Sequence, residues 1–304
     1  TWGRQNLQEG DEIIVSFLEH HSNIVPWQML CGETGATLKV IPITESGELV
    51  MDEYERLLSD RTKLVAVNHV SNTLGTINPI KRIIEKAHAS GAVVLIDGAQ
   101  SAPHLKVDVQ DLDVDFYTIS AHKMYGPTGF GILYGKRDLL NSMPPWRGGG
   151  EMIKSVSFEG TTYNELPHKF EAGTPHVAGA VGMGAAVDFI HRIGLDQIAS
   201  QEDLLLKTAT ARLLQIEGLR IIGTASEKAS VLSFLVDDIH PYDVGALLDK
   251  MGVAVRTGHH CTEPLMDHFG IPGTVRASFA VYNTLEEIEN FVMALERVLG
   301  ILRP

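Results

Sequence analysis

The sequence predicts an α/β fold: a mostly parallel sheet flanked by helices, followed by a smaller C-terminal α+β domain. Two observations carry this. Short, mostly apolar, β-branched runs alternate with helix-like stretches through the first half of the chain, and they lack the polar alternation of a half-exposed strand. After a glycine-rich interruption the order changes to long helical patterns with a few later strands.

In chain order, the predicted strands of the first half are Ile13–Ser16, Leu38–Ile41, Leu64–Val67, Val93–Ile96 and Phe116–Ile119. Met51–Leu58 and Ile80–Ala89 have helical spacing between them. The second opens after Asn78-Pro79 and closes near Gly91, a good start and a good stop. Gly148-Gly149-Gly150 and the polar stretch Glu159–Glu171 break the pattern and predict a long irregular connection with a functional purpose. Helices are predicted at Val177–Arg192 and Asp196–Glu217. Strands follow at Val231–Val236, Val253–Arg256 and Val275–Ser278, and a last helix at Leu285–Leu299. The boundary falls near Gly194, giving a larger domain over 1-193 and a smaller one over 194-304. There is no internal repeat and no low-complexity segment.

Composition excludes several classes. With 38 acidic and 25 basic residues the net charge is −13, a field that repels nucleic-acid phosphates. No Lys/Arg run exceeds two residues, so no basic membrane patch is visible. The longest apolar stretch, Val177–Val187, is too short to span a bilayer and holds three glycines. Two cysteines, Cys31 and Cys261, cannot build a disulfide framework; they predict a reducing, cytoplasmic setting.

Ligands of open α/β sheets sit at the C-terminal ends of strands. The predicted strands run into Glu19-His20-His21, Asn68 through Gly75, Asp97-Gly98-Ala99-Gln100-Ser101 and Ser120-Ala121-His122-Lys123. Four strand ends would thus bring His, Asn, Asp, Gln and Lys to one pocket. Asp97 and Lys123 are the most informative pair. A carboxylate at a buried strand end, with a lysine after a later strand, fits a pyridoxal phosphate site. The lysine holds the cofactor as a Schiff base, and the aspartate keeps the pyridine nitrogen protonated so that the ring is an electron sink. The plainer alternative makes Asp97 a helix cap and Lys123 a surface lysine. Ser120, His122 and the Gly126-Pro127-Thr128-Gly129 turn favour the first, since small hydroxyl and imidazole donors can hold a phosphate.

Ser120-Ala121-His122-Lys123, Asp97-Gly98-Ala99-Gln100 and Arg256-Thr257-Gly258-His259-His260-Cys261 strongly resemble the cysteine desulfurases, of the aminotransferase-like (fold type I) class of pyridoxal phosphate enzymes. Ser71-Asn72-Thr73-Leu74-Gly75 and the Arg256–Cys261 stretch are similar to the group II (SufS-type) branch. The resemblance runs from Trp2-Gly3-Arg4 to Tyr282-Asn283-Thr284 and beyond. It implies a seven-stranded type of sheet in the large domain, and a homodimer. It also implies roles. Lys123 is the Schiff-base lysine and the carrier of the Cα proton. Asp97 pairs with the pyridine nitrogen, His20 stacks on the ring, and Gln100 donates to the phenolic oxygen. Ser120 and His122 contact the phosphate. Asn72 and Arg276 bind the substrate carboxylate, where a bidentate guanidinium suits the task. Thr174, within Phe170-Glu171-Ala172-Gly173-Thr174-Pro175, reaches the phosphate of the neighbouring subunit. Taken singly, His20 or Asn72 is more often a satisfied polar residue at a strand end; the ordered set lifts them.

Cys261 is then the nucleophile, with His259 and His260 helping to form its thiolate. A buried inert cysteine is one alternative. A zinc site of His259, Cys261 and His268 is another, but its spacing matches no common finger or ribbon. Cys31 lies in an apolar helix-like stretch and reads as structural. The implied reaction converts L-cysteine to L-alanine and leaves sulfur as a persulfide on Cys261, for iron–sulfur cluster assembly. A selenocysteine lyase is the alternative, since selenium leaves at least as readily. The segment from Thr257 to Arg276 is short and stiffened by Pro264 and Pro272, so a sulfur-acceptor protein of the SufE or SufU type is expected to dock and collect the sulfur. The chain begins at Thr1-Trp2-Gly3-Arg4, whereas family members carry a further N-terminal segment with a Gly-Thr-Thr-like phosphate loop at a helix N-terminus. The chain is therefore expected to be the larger part of such an enzyme, or, as a third reading, a truncated non-catalytic remnant that keeps the fold but binds no cofactor.

Overall fold

A strand buried on both faces must send alternate side chains into two different cores. The computed structural model, which describes residues 1–303, shows this for β1 (Glu12–Ser16), β3 (Thr62–Asn68), β4 (Val93–Asp97) and β5 (Phe116–Ser120), with the partly exposed β2 (Thr37–Ile41) at the edge. They join β6 (Gly131–Gly135) in a six-stranded sheet of order β2-β1-β3-β4-β5-β6, in which only β6 runs antiparallel. Ile13, Val15, Leu64 and Ala66 pack on one side with α1 (Trp2–Asn6) and α2 (Val25–Thr34). Ile14, Val65, Val67, Val94 and Ile96 pack on the other with α3 (Met51–Leu57) and α4 (Ile80–Ala89). Helix α4 buries Ile80, Ile83, Ile84 and Ala87, one face at helical spacing. The fully buried Tyr54 of α3 donates its hydroxyl to the Ile83 carbonyl at 2.8 Å.

The sheet thus has six strands among the described residues, one fewer than the resemblance implies, and β6 is its edge with Ile132 and Leu133 exposed. Sequence reasoning missed β6 because three apolar residues between two glycines make a weak strand signal; antiparallel pairing to β5 creates it. The connection after it holds α5 (Arg137–Ser142) and an exposed two-stranded ribbon, β7 (Ile153–Ser157) and β8 (Gly160–Tyr163), where an irregular segment was expected. Helix α6 (Val177–Ile193) then packs against Ala121 and Met124.

The second sheet is four-stranded and antiparallel, of order β11-β12-β10-β9, built from β9 (Leu219–Ile222), β10 (Val231–Val236), β11 (Arg256–Gly258) and β12 (Thr274–Ser278). α7 (Leu195–Leu213), α8 (Pro241–Lys250) and α10 (Leu285–Leu302) cover it around Phe234, Leu206, Leu248 and Leu295. A short helix, α9 (Glu263–Phe269), links β11 to β12. Two boundaries differ from expectation. Helix α7 stops at Leu213, before the left-handed turn at Gly218. The strand expected at Val253–Arg256 pairs only over Arg256–Gly258, because Val253 and Val255 turn their side chains into the core instead.

Residues 72–77, which leave β3, join the two sheets. Ser233 on β10 donates to the Thr73 carbonyl at 2.6 Å, Ala229 N–H to Gly75 at 2.8 Å, and Ile77 N–H to Glu227 at 3.0 Å. Gly75 has φ +78°, and a Cβ there would stand 3.0 Å from the carbonyls of both Ala229 and Val231, so a side chain has neither the conformation nor the room. Leu74 beside it is fully buried. Leu74→Ala is expected to cost about 2–5 kcal/mol, by lost transfer energy plus a cavity at the junction; denaturant unfolding of the two chains measures it.

Candidate active site

The C-terminal ends of β1, β3, β4 and β5 carry the residues singled out above, and electrostatics shows which of them converge. Lys123 sits on a 3₁₀ turn just after β5. Burial pushes its amine below the ordinary lysine range; Arg276 and Arg256 add to this, while Asp97 and Cys261 oppose it. A lysine so placed has a larger neutral, nucleophilic fraction than one in water. Burial likewise lowers His20, followed by the charge of Lys123, with Asp97 opposing. His20, Asp97, Lys123, Arg256, Cys261 and Arg276 therefore lie within electrostatic reach of one another.

Asp97 accepts from Ala99 N–H at 2.9 Å on Oδ1, and Oδ2 makes no hydrogen bond among the described residues. One carboxylate oxygen is thus available to a ligand. Behind it Tyr117, fully buried, shares its hydroxyl with Ser101 at 2.5 Å and His69 at 3.0 Å. Burial holds His69 down to about 4, so its ring is neutral and serves as a support.

Arg276 on β12 donates from Nη1 to the Asn72 carbonyl at 2.7 Å. Its Nε is buried without a protein partner, as is Oδ1 of Asn72. Burial, then repulsion from Arg256, holds the guanidinium down to about 10, still charged at neutral pH. One N–H of the Asn72 amide goes to the His260 carbonyl at 2.8 Å. The structure thus brings Asn72 and Arg276 together, with polar atoms left for a ligand. Ser120 and His122 flank Lys123 on the same turn, and Gln100 follows Asp97 by three residues. Thr174 is exposed and makes no hydrogen bond to this cluster.

Cys261 lies in a turn that no regular element supports. His260 (φ +55°) and Cys261 (φ +60°) are consecutive left-handed residues without being glycine. His21 N–H donates to the Cys261 carbonyl at 2.8 Å, and the Thr73 and Thr262 hydroxyls meet at 2.8 Å. The neighbour of the thiol is Arg256, whose Nη2 stands 3.6 Å from Sγ. Sequence reasoning gave that task to His259 and His260, and the structure corrects it. His260 is buried on Thr274 at 2.8 Å and pushed down to about 3, so it brings no charge to the thiol; His259 is exposed and turns toward Glu263 at 3.9 Å. Arg256 was legible as the one guanidinium in the Arg256–Cys261 stretch. Cys31 packs half-buried beside Trp27 and Leu30, as a structural residue does.

Sequence reasoning also passed over Glu19, next to His20. It is fully buried and accepts from Ser16 at 2.5 Å, Asn23 at 2.7 Å and Asn68 N–H at 3.1 Å. Asn68 is the register partner of Asp97, so Glu19 lies under the site's floor.

Residues 1–291 match the family described as aminotransferase class-V. The chain belongs to that family. A cysteine desulfurase of Synechococcus elongatus is 55% identical over 298 residues, 98% of this chain but 48% of that protein. One of Dickeya dadantii is 51% identical over 303 residues, 99% of this chain and 73% of that protein. Among the curated relatives it matches, the chain thus spans about half the length of some and about three quarters of others. The crystal structure of the cysteine desulfurase CsdA from Escherichia coli superposes with TM-score 0.95 at 42% identity, covering 99% of this chain and 75% of that one. The apo cysteine desulfurase of Thermococcus onnurineus does so with TM-score 0.95 at 41% identity, over 98% and 75%.

Burial pushes the Glu19 carboxyl up to about 8 from its ordinary 4.5; Asp97 adds to this, and the bonds from Ser16, Asn23 and Asn68 oppose it. Between those two values the folded chain holds a proton that the unfolded chain releases. Raising pH through this window therefore removes stability, by up to ~1.4 kcal/mol per pH unit. Glu19→Gln cannot ionise, but it turns one amide donor toward another. The variant is expected to be about 1 kcal/mol less stable than the parent near pH 5, and to overtake it as pH rises to about 9. Thermal unfolding at several pH values checks this, and parallel curves would contradict it.

Proposed function

We propose that this chain carries the catalytic site of a pyridoxal phosphate-dependent cysteine desulfurase, which converts L-cysteine to L-alanine and retains the sulfur on Cys261. The observation that carries the reading is the convergence of a depressed lysine amine, a carboxylate with a free oxygen, a buried arginine with unpaired N–H, and a thiol beside a guanidinium. The family and the relatives support it.

The residues present fit the cofactor. Lys123 would hold it covalently, Asp97 would face its pyridine nitrogen, and His20 would stack on its ring. Gln100 would donate to the phenolic oxygen, and Ser120 and His122 would hold the phosphate, with Thr174 of a second copy in a homodimer. Bound there, pyridoxal phosphate supplies an electron sink that lets an amino acid lose its Cα proton. The protein's own groups do the rest. Arg276 and the remaining amide N–H of Asn72 orient the substrate carboxylate. The Lys123 amine accepts and returns the proton. Arg256 stands beside the Cys261 sulfur. Cys261 then bonds to the substrate sulfur as the carbon–sulfur bond breaks, so that thiol plus L-cysteine become persulfide plus L-alanine. We infer further that the reaction runs in the cytoplasm and feeds iron–sulfur cluster assembly, that an acceptor protein of the SufE or SufU type collects the sulfur, and that the chain divides near Gly194.

The test is visible absorption with added pyridoxal phosphate, alongside alanine production from L-cysteine. A cofactor band is expected in the parent and in Cys261→Ala, and not in Lys123→Ala. Alanine formation is expected to fall by about a hundredfold or more in Cys261→Ala. A band that survives Lys123→Ala, or alanine formation indifferent to Cys261, would overturn the reading.

A further inference from the structure

We propose that His21 is a positioning residue for Cys261: its side chain caps helix α9 from the far side of the site and so fixes the turn that presents the thiol. This rests on the desulfurase reading above. Glu263 is the first residue of α9, and its N–H has no acceptor within the helix. An N-cap side chain ordinarily accepts from the second or third helical N–H, so the N-cap Thr262 offers this first one nothing. Its hydroxyl is already engaged with the His259 carbonyl at 2.8 Å and with Thr73 at 2.8 Å, and it makes no cap bond. Glu263 N–H instead donates to Nε2 of His21 at 3.0 Å, a residue 242 positions earlier in the chain.

The same residue holds the turn a second time, since its main-chain N–H bonds the Cys261 carbonyl at 2.8 Å. His21 therefore grips Cys261 on its own carbonyl and again two residues later. Asn72 and Thr73 hold the flanking positions 260 and 262. An amide N–H can only donate, so Nε2 is the acceptor of this bond. Without that acceptor, the exposed amide of Glu263 is left to solvent, and the strained pair His260-Cys261 loses one of its restraints.

Three substitutions separate positioning from mere support. In His21→Gln the amide oxygen reaches the place of Nε2 and can accept; in His21→Asn it reaches only as far as Nδ1; in His21→Ala nothing accepts. Hydrogen exchange of the Cys261–Met266 segment, read by mass spectrometry without cofactor or substrate, is expected to rise about tenfold in the Ala and Asn variants and to stay near the parent in Gln. In turnover, kcat is expected to fall about tenfold in Ala and Asn with KM for L-cysteine within about twofold, and Gln is expected to restore it. Unchanged exchange in His21→Ala, or equal kcat losses in Gln and Ala, would overturn the proposal. If the parent chain itself makes no alanine, the desulfurase reading fails, while the exchange pattern still decides whether His21 caps the helix.

Discussion

The turn from Asn72 to Ile77 is the joint on which the rest of the structure depends. It leaves the end of β3 in the first sheet and bonds to β10, to the Cys261 turn and to Arg276 of β12, all in the second part of the chain. Its polar groups are buried, so each must find a partner or cost roughly 1–3 kcal/mol. Those partners lie across the junction, which ties the geometry of the site to the assembly of both sheets. Asp97 ends a strand of the first sheet and Lys123 follows another, whereas Arg276 lies in the second sheet and Cys261 in a turn between β11 and α9. A shift of one sheet against the other would break buried hydrogen bonds before it moved the catalytic groups apart.

The site also manages its charge. Beneath the strand ends, burial first and then the charge of Asp97 disfavour ionisation of the enclosed Glu19. Glu19, fully enclosed, keeps its proton, while Asp97 keeps an oxygen open to the cavity. Above them, burial and then the repulsion of neighbouring cations push Lys123 and Arg276 down. Lysine can lose its proton at moderate cost, and guanidinium effectively cannot. Arg276 therefore stays charged, while the lysine is driven toward the neutral amine that a carbonyl cofactor would need.

The parallel strands and α4 were legible because burial on two faces writes itself as unbroken apolar runs and as regular 3–4 spacing. The elements that escaped owe their form to pairing rather than to pattern. β6 exists because β5 lies beside it, β9 because β10 does, and the β7–β8 ribbon folds back on itself with little burial. The same division holds at the site. Lys123, Asp97, Asn72 and Arg276 sit at strand ends, where topology sends ligands. Glu19 and His21, on either side of His20, act through partners at Asn68 and Glu263, and no local spacing records such long-range bonds. His260 misled because adjacency in sequence to Cys261 does not fix direction: with both residues left-handed, its ring points into the core toward Thr274.

That left-handed pair bears on how sulfur would leave. Each such residue costs on the order of 1 kcal/mol in backbone energy. The bonds from His21, Asn72 and Thr73 each return about as much, so the turn is held by a narrow margin and in one shape. A persulfide on Cys261 would extend the side chain by a single sulfur, beside Arg256 and half-buried. A long loop could carry that sulfur to the surface, but this one is stapled at residues 260, 261, 262 and 263. Transfer in the proposed reaction therefore requires that an acceptor thiol come to the sulfur, or that the acceptor's docking free energy exceed that of the staples it displaces.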